Sequence, residues 1–241
     1  MPRNTAALPH TLYEGTSLIN TQLVPDFQVA FFDPDASGLN AEKVGSGGRQ
    51  AAWFVTLPSG EQGVLRHYRR GGLIAKLIRD RYVWTGASQT RSWSEYAVML
   101  YLSHKLDCVP PPLAATYQRS ALLYRAAIIV KRIPRVQPLA DVLESASPSA
   151  VAEVILAVHD AGVWHADLNA YNVLLNEAGQ VWIIDFDRAR RVEMSNKQRQ
   201  NNLQRLCRSL VKVHGEQGLA WWSEMNRVYL QHQHAAIPNR D

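Results

Sequence analysis

At 241 residues, 46% hydrophobic and 20% charged, the chain can bury a full apolar core, and its composition excludes the disordered and fibrous classes. Its two cysteines, Cys108 and Cys207, stand far apart with no accompanying ligand residues. This excludes a disulfide framework or a zinc finger and reads both thiols as reduced and structural. A net charge of +5 favours anionic partners such as nucleotides, phosphorylated lipids, nucleic acid or a membrane face, without choosing among them.

The first 25 residues mix Pro, Thr, Asn and Ser without a period and read as an arm with no assigned function. They hold neither an apolar signal core nor a small-residue cleavage site, and no later stretch approaches the roughly 18 apolar residues of a spanning helix. The expected compartment is therefore the cytoplasm. From Phe27 to Val55, FQVAFF, a polar loop, GSGGR and AAWFVTL read as strands around a glycine-rich turn. Ser59-Gly60 then supplies turn chemistry before a strand from Gly63 to Tyr68, giving a small antiparallel sheet.

The run from Arg66 to Arg81 is rich in Lys and Arg, with Leu73, Ile74, Leu77 and Ile78 at helical spacing. It reads either as a solvated basic face or as an amphipathic surface that meets lipid phosphates and anionic headgroups. Trp93, Tyr96, Ala97, Leu100 and Tyr101 predict a helix between Arg91 and Leu106, ended by the prolines 110–112. LAATYQR and LLYRAAIIVKRI predict two further strands. Pro134 and Pro138 mark the expected lobe boundary, between a strand-rich and a helix-rich half.

Ser147 and Pro148 predict a helix start, the apolar face of Val151, Val154, Ile155 and Val158 its body, and Gly162 its stop. A hairpin follows, VLLN and VWIID around EAGQ. Leu203, Leu206, Leu210 and Val213 predict one more helix, and Leu219, Trp222, Met225 and Tyr229 a last one. Trp221 and Trp222 read as helix packing, and His232 and His234 as part of a polar tail.

Chemistry concentrates in His165-Ala-Asp167-Leu-Asn-Ala-Tyr-Asn172, followed thirteen residues later by Asp185-Phe-Asp187. Phosphoryl transfer needs magnesium held against ATP and an acceptor hydroxyl aimed in line, and little covalent chemistry from the protein. An aspartate just after a helix can accept or orient a hydroxyl proton, an asparagine five residues on can reach metal, and an aspartate beyond a hairpin can bridge the phosphates. The rival reading makes His165, Asp167, Asp185 and Asp187 ligands of a metal-dependent hydrolase, which leaves Asn172 and the glycine-rich turn unexplained.

HxDLxxxN followed by DFD resembles the catalytic and metal segments of the protein-kinase-like fold. VLRHYRRGGLIAKLIRDRYVW, HADLNAYNVLLN and VWIIDFDRAR together are similar to the kinases of 3-deoxy-D-manno-octulosonic acid (Kdo), over roughly residues 28 to 215. The resemblance implies a two-lobed α+β fold with an arm at 1–25, a strand-rich lobe at 26–134, a helical lobe at 135–241, and ATP between the lobes. It implies Asp167 as the catalytic aspartate, Asn172 and Asp185 as magnesium ligands, and Gly45, Gly47 and Gly48 as the turn that covers the phosphates. Glu95 takes the place of the helix glutamate that pairs with a phosphate-binding lysine. Arg66 stands where that lysine is usual, with Lys76 as the alternative, and it exchanges a compact ammonium for a planar fork.

Two departures from the protein-kinase pattern have consequences. Ala166 replaces the arginine between His and Asp, and no APE-like segment follows, which argues against control by activation-loop phosphorylation. Asp187 replaces the usual glycine, so the backbone freedom of that turn should be lower. The implied acceptor is Kdo-lipid IVA, phosphorylated on the Kdo 4-hydroxyl at the cytoplasmic face of the inner membrane by a peripherally bound enzyme. Neither nucleic acid nor an obligate protein partner is expected. The catalytic residues by themselves equally suit a heptose kinase or a RIO-like protein kinase, and a pseudokinase scaffold is the non-enzymatic rival.

Overall fold

The computed structural model describes residues 10–44, 52–69 and 80–235. Its contacts divide the chain into two compact units. The first is residues 1–100 with 111–132, and the second is residues 101–110 with 133–241. Gly45, Gly47, Gly48, Lys76 and most of the basic run lie outside the described residues.

The first unit is an antiparallel sheet. β1 (Thr11–Glu14) and β2 (Ser17–Asn20) form a hairpin within the segment whose sequence shows no period. β3 (Asn40–Val44), β4 (Ala52–Thr56), β5 (Gln62–His67), β7 (Pro112–Ser120) and β8 (Leu123–Lys131) complete the order β1-β2-β7-β8-β5-β4-β3. The short β6 (Tyr82–Val83) pairs with β8. β8 is central and β-branched, with Ala126 to Val130 all buried, as a strand covered on both faces requires. Gly60, at φ 85, makes the turn that joins β4 to β5.

FQVAFF does not form the expected strand. Val29–Phe32 is a single 3₁₀ turn that buries Phe31 and Phe32 in the core with Ile19, Val55, Leu65 and Ile129. Six apolar-rich residues satisfy either geometry, and here packing decided. The helix α1 (Arg91–Ser103) stops well before the prolines, so they follow its end and do not cause it. Ser92 Oγ donates to Thr116 O at 2.8 Å, and Tyr96 is fully buried, which holds the start of α1 against the sheet.

The second unit contains β9 (Val136–Pro138), the short α2 (Leu139–Val142) and α3 (Pro148–Asp160). Ser147 caps α3, its side chain accepting from Ala150 N, and Gly162 beyond its end adopts φ 75. β10 (Val163–Trp164), β11 (Val173–Asn176), β12 (Val181–Ile183) and β13 (Arg190–Arg191) make two small sheets, β12-β11-β9 and β10-β13. The final element, α4 (Asn196–Ala235), is broken at Gly215, where φ 58 and ψ −130 leave the helical region. This is where the sequence predicts one helix giving way to another. Trp221 Nε1 donates to Ala146 O and Trp222 Nε1 to Leu203 O, so both indoles serve helix packing. Both cysteines are free thiols.

Candidate active site

The loop from His165 to Asn172 leaves β10 and enters β11, and Asp185 follows β12, so the β11–β12 hairpin returns the chain to that loop. His165 is buried, and its imidazole accepts from Asp167 N at Nδ1 (3.1 Å) while Nε2 meets Ile184 O (3.0 Å). An accepting Nδ1 places the proton on Nε2, so the neutral ring ties Asp167 to the residue before Asp185. Burial pushes the His165 pKa down, against the hydrogen bond to Ile184 and the Asp185 and Asp167 carboxylates, which raise it.

Asn172 closes the circuit. Its side-chain nitrogen donates to Asp167 O at 2.9 Å, and its own carbonyl accepts from Ile184 N at 3.0 Å. Asn169 adds a donor to the same Asp167 carbonyl at 3.0 Å. Phe186, fully buried, lays its ring 4.8 Å from that of His165. The loop and the Asp-Phe-Asp segment are thus bound by backbone, side-chain and ring contacts together. Asp185 itself adopts φ 61, a conformation aspartate tolerates better than most residues. Position 187 is not among the left-handed residues; Asp185 and Arg188 are. The turn therefore places its left-handed conformations at 185 and 188, and Asp187 meets no left-handed requirement.

Because the Asn172 nitrogen is engaged, its oxygen is the side-chain atom that could ligate a cation, and the Asp185 carboxylate, one residue beyond the Ile184–Asn172 hydrogen bond, is the other candidate oxygen donor. Such all-oxygen donors suit magnesium, which one or two carboxylates plus substrate phosphates ordinarily hold. No group of three or more His, Cys, Asp or Glu side chains able to hold a metal occurs among the described residues. The donor chemistry fits a metal shared with a nucleotide and does not fit the four-ligand hydrolase centre.

Three residues of α4, outside the motifs that mark the site in the sequence, support this loop. Asn202 accepts from His165 N (3.1 Å) and donates to His165 O (2.7 Å), and its oxygen also meets His159 Nε2 (3.2 Å). Arg205 donates to Asp167 Oδ1 from Nε (2.8 Å) and Nη2 (2.5 Å). Ser209 Oγ accepts from Ala170 N at 3.1 Å. Spacings of three and four place them on one helix face, where they meet residues 165, 167 and 170 in order. In the sequence such residues look like an ordinary polar face; only their distant partners mark them.

Within the first unit, Glu95 of α1 is buried and accepts from Arg66 of β5 at Oε1 and from the Tyr68 hydroxyl at Oε2. Glu95 is therefore not a solvated helix charge. A buried carboxylate of this kind requires its partners, so Arg66 is held in place.

A family model described as the lipopolysaccharide kinase (Kdo/WaaP) family matches residues 35–229. Curated relatives include a 3-deoxy-D-manno-octulosonic acid kinase of Stenotrophomonas maltophilia (strain K279a), 44% identical over 209 residues, covering 85% of this chain and 84% of that protein. A protein of the same description from Xylella fastidiosa (strain M12) is 43% identical over 210 residues, covering 86% and 84%. Among solved structures, the amicoumacin kinase hAmiN in complex with AMP-PNP, Ca2+ and amicoumacin (Ami) aligns with a TM-score of 0.54 at 13% identity, over 79% of this chain and 72% of that one. That likeness speaks for a kinase-like α+β fold. The match over most of the chain, joined to an ordered His-x-Asp, Asn and Asp-Phe-Asp circuit, establishes that the chain belongs to the lipopolysaccharide kinase (Kdo/WaaP) family.

Proposed function

We propose that the chain transfers the γ-phosphoryl group of ATP to the 4-hydroxyl of Kdo in Kdo-lipid IVA, a step of lipopolysaccharide inner-core assembly. The observation that carries the chemistry is the hydrogen-bonded circuit through His165, Asp167, Asn172 and Ile184. The acceptor is supported by the identity to Kdo kinases over most of both chains.

Asp167 spends Oδ1 on Arg205, and Oδ2 has no protein partner among the described residues. In this reading Oδ2 takes the proton of the sugar hydroxyl as its oxygen bonds to the γ-phosphorus, while the bond from that phosphorus to the ADP oxygen breaks and ADP leaves with the electron pair. Asp185 and Asn172 hold magnesium, which would supply charge neutralisation to the phosphate oxygens. Arg66, positioned by Glu95, offers its guanidinium to a nucleotide phosphate.

The same reading places the enzyme peripherally on the cytoplasmic face of the inner membrane. A lipid-linked acceptor and a net charge of +5 support this. No helix of the described residues is long and apolar enough to cross a membrane.

The test offers Mg²⁺-ATP in parallel with Kdo-lipid IVA in anionic vesicles, the same lipid lacking Kdo, and a generic protein. Phosphate is expected on the Kdo-bearing lipid alone, with the enzyme sedimenting with the vesicles at low salt. Phosphate on the Kdo-free lipid or the protein, with none on Kdo, removes the acceptor assignment; an enzyme that stays in the supernatant removes the membrane placement.

A further inference from the structure

Arg205 meets Asp167 with only one edge of its guanidinium. Nε and Nη2 both reach Oδ1, whereas Nη1 has no protein partner among the described residues. Both side chains are about half exposed, at 46% and 47%. An ion pair that solvent reaches so freely contributes little to stability, which is a weak reason for placing it on this loop. What the pair does offer is chemical. A carboxylate oxygen able to take a hydroxyl proton stands beside a guanidinium edge able to grip an anion, and planar N–H pairs match a carboxylate with two parallel bonds.

The proposed acceptor carries such an anion near its reacting hydroxyl. Kdo is an octulosonic acid, with its carboxylate on the anomeric carbon and the 4-hydroxyl two ring carbons away. We propose that Arg205 determines acceptor specificity: its inner edge holds Asp167, and its outer edge receives the carboxylate of the sugar, so that only an acidic sugar is presented with its hydroxyl at Oδ2. This rests on the Kdo reading given above. A neutral sugar would meet the same base without the anchoring contact, and a lysine would keep the charge but could not serve both carboxylates with separate edges.

Steady-state kinetics with two acceptors decide the matter: Kdo-lipid IVA, and the same glycolipid with its Kdo carboxylate converted to the methyl ester. Wild type is expected to prefer the acid by about 10- to 100-fold in kcat/KM, mainly through KM, as a charge-assisted pair implies. Arg205→Ala should bring the ratio of the two acceptors close to one, and Arg205→Lys should give an intermediate ratio. A residue that only positions Asp167 would lower kcat on both acceptors alike and leave their ratio unchanged. An unchanged ratio in the variants, or no preference in wild type, therefore overturns the proposal. If Arg205→Ala fails to fold, Arg205→Lys carries the comparison with the same two outcomes. A wild-type enzyme that phosphorylates neither form of the sugar but does phosphorylate another acceptor refutes the underlying Kdo reading, a failure distinct from lost discrimination.

Discussion

Asn202 holds the candidate catalytic loop from α4. One amide side chain takes the N–H and the C=O of His165 and a ring nitrogen of His159. Removing it leaves buried polar groups unpaired, each costing about 1–3 kcal/mol. Asn202→Ala should therefore lower unfolding stability by at least about 2 kcal/mol and reduce kcat more than it raises KM for ATP. Urea titration beside steady-state kinetics checks this, and wild-type stability would show that the clamp is dispensable. At this scale the joining of the Asp167–Asn172 loop to the segment that begins at Asp185 can be read from the sequence, because a short hairpin separates them and the spacing is local. Asn202 and Arg205 were not, since 37 and 38 residues separate them from His165 and Asp167. Nothing local distinguishes such residues from a solvated face. Glu95 lay between these cases: helical spacing set its position, but only the partners Arg66 and Tyr68 explain its burial.

The packing of α3 against α4 carries a pH dependence of its own. His159 sits between Tyr229, whose hydroxyl meets Nδ1 at 2.8 Å, and Asn202. Arg199 donates to that same hydroxyl at 3.1 Å and pairs with Asp160 at 2.8 Å. Burial lowers the His159 pKa from 6.5 to about 3, with the Asn202 bond opposing and the Arg199 charge assisting. The unfolded chain thus binds a proton at 159 that the folded chain refuses. Stability is fully present above about pH 6.5 and declines as the pH falls toward 3. Urea midpoints between pH 7 and pH 4.5 should fall more steeply for wild type than for His159→Gln; parallel profiles would assign the acid sensitivity to other groups. Elements with a long repeat or a clear cap, such as α3 with Ser147 and Gly162, were legible in the sequence. Val29–Phe32 is a 3₁₀ turn where the sequence suggests a strand, because one apolar turn carries no period. The two helical segments of α4 were anticipated from the shift in their apolar pattern, and the left-handed Gly215 is the physical cause of the break.

Across the whole molecule, the candidate residues fall in both compact units, Arg66 and Glu95 in one and Asp167, Asn172 and Asp185 in the other. The strand-rich and helix-rich character of the two halves could be read from strand alternation, proline punctuation and helical spacing. The assignment of residues 101–110 to the second unit could not, because it depends on contacts such as Ile183 N to Cys108 O at 2.9 Å. A kinase of this family should depend on one carboxylate as base and another as metal ligand, and these roles separate in their metal dependence. The direct measurement is the rate of single-turnover transfer from ATP to Kdo-lipid IVA as Mg²⁺ is titrated, for wild type, Asp167→Asn and Asp185→Asn. Asp167→Asn should lose about 10²- to 10⁴-fold in maximal rate with an unchanged Mg²⁺ midpoint, whereas Asp185→Asn should shift the midpoint to higher Mg²⁺. Either variant transferring phosphate at the wild-type rate with the wild-type midpoint would contradict the account.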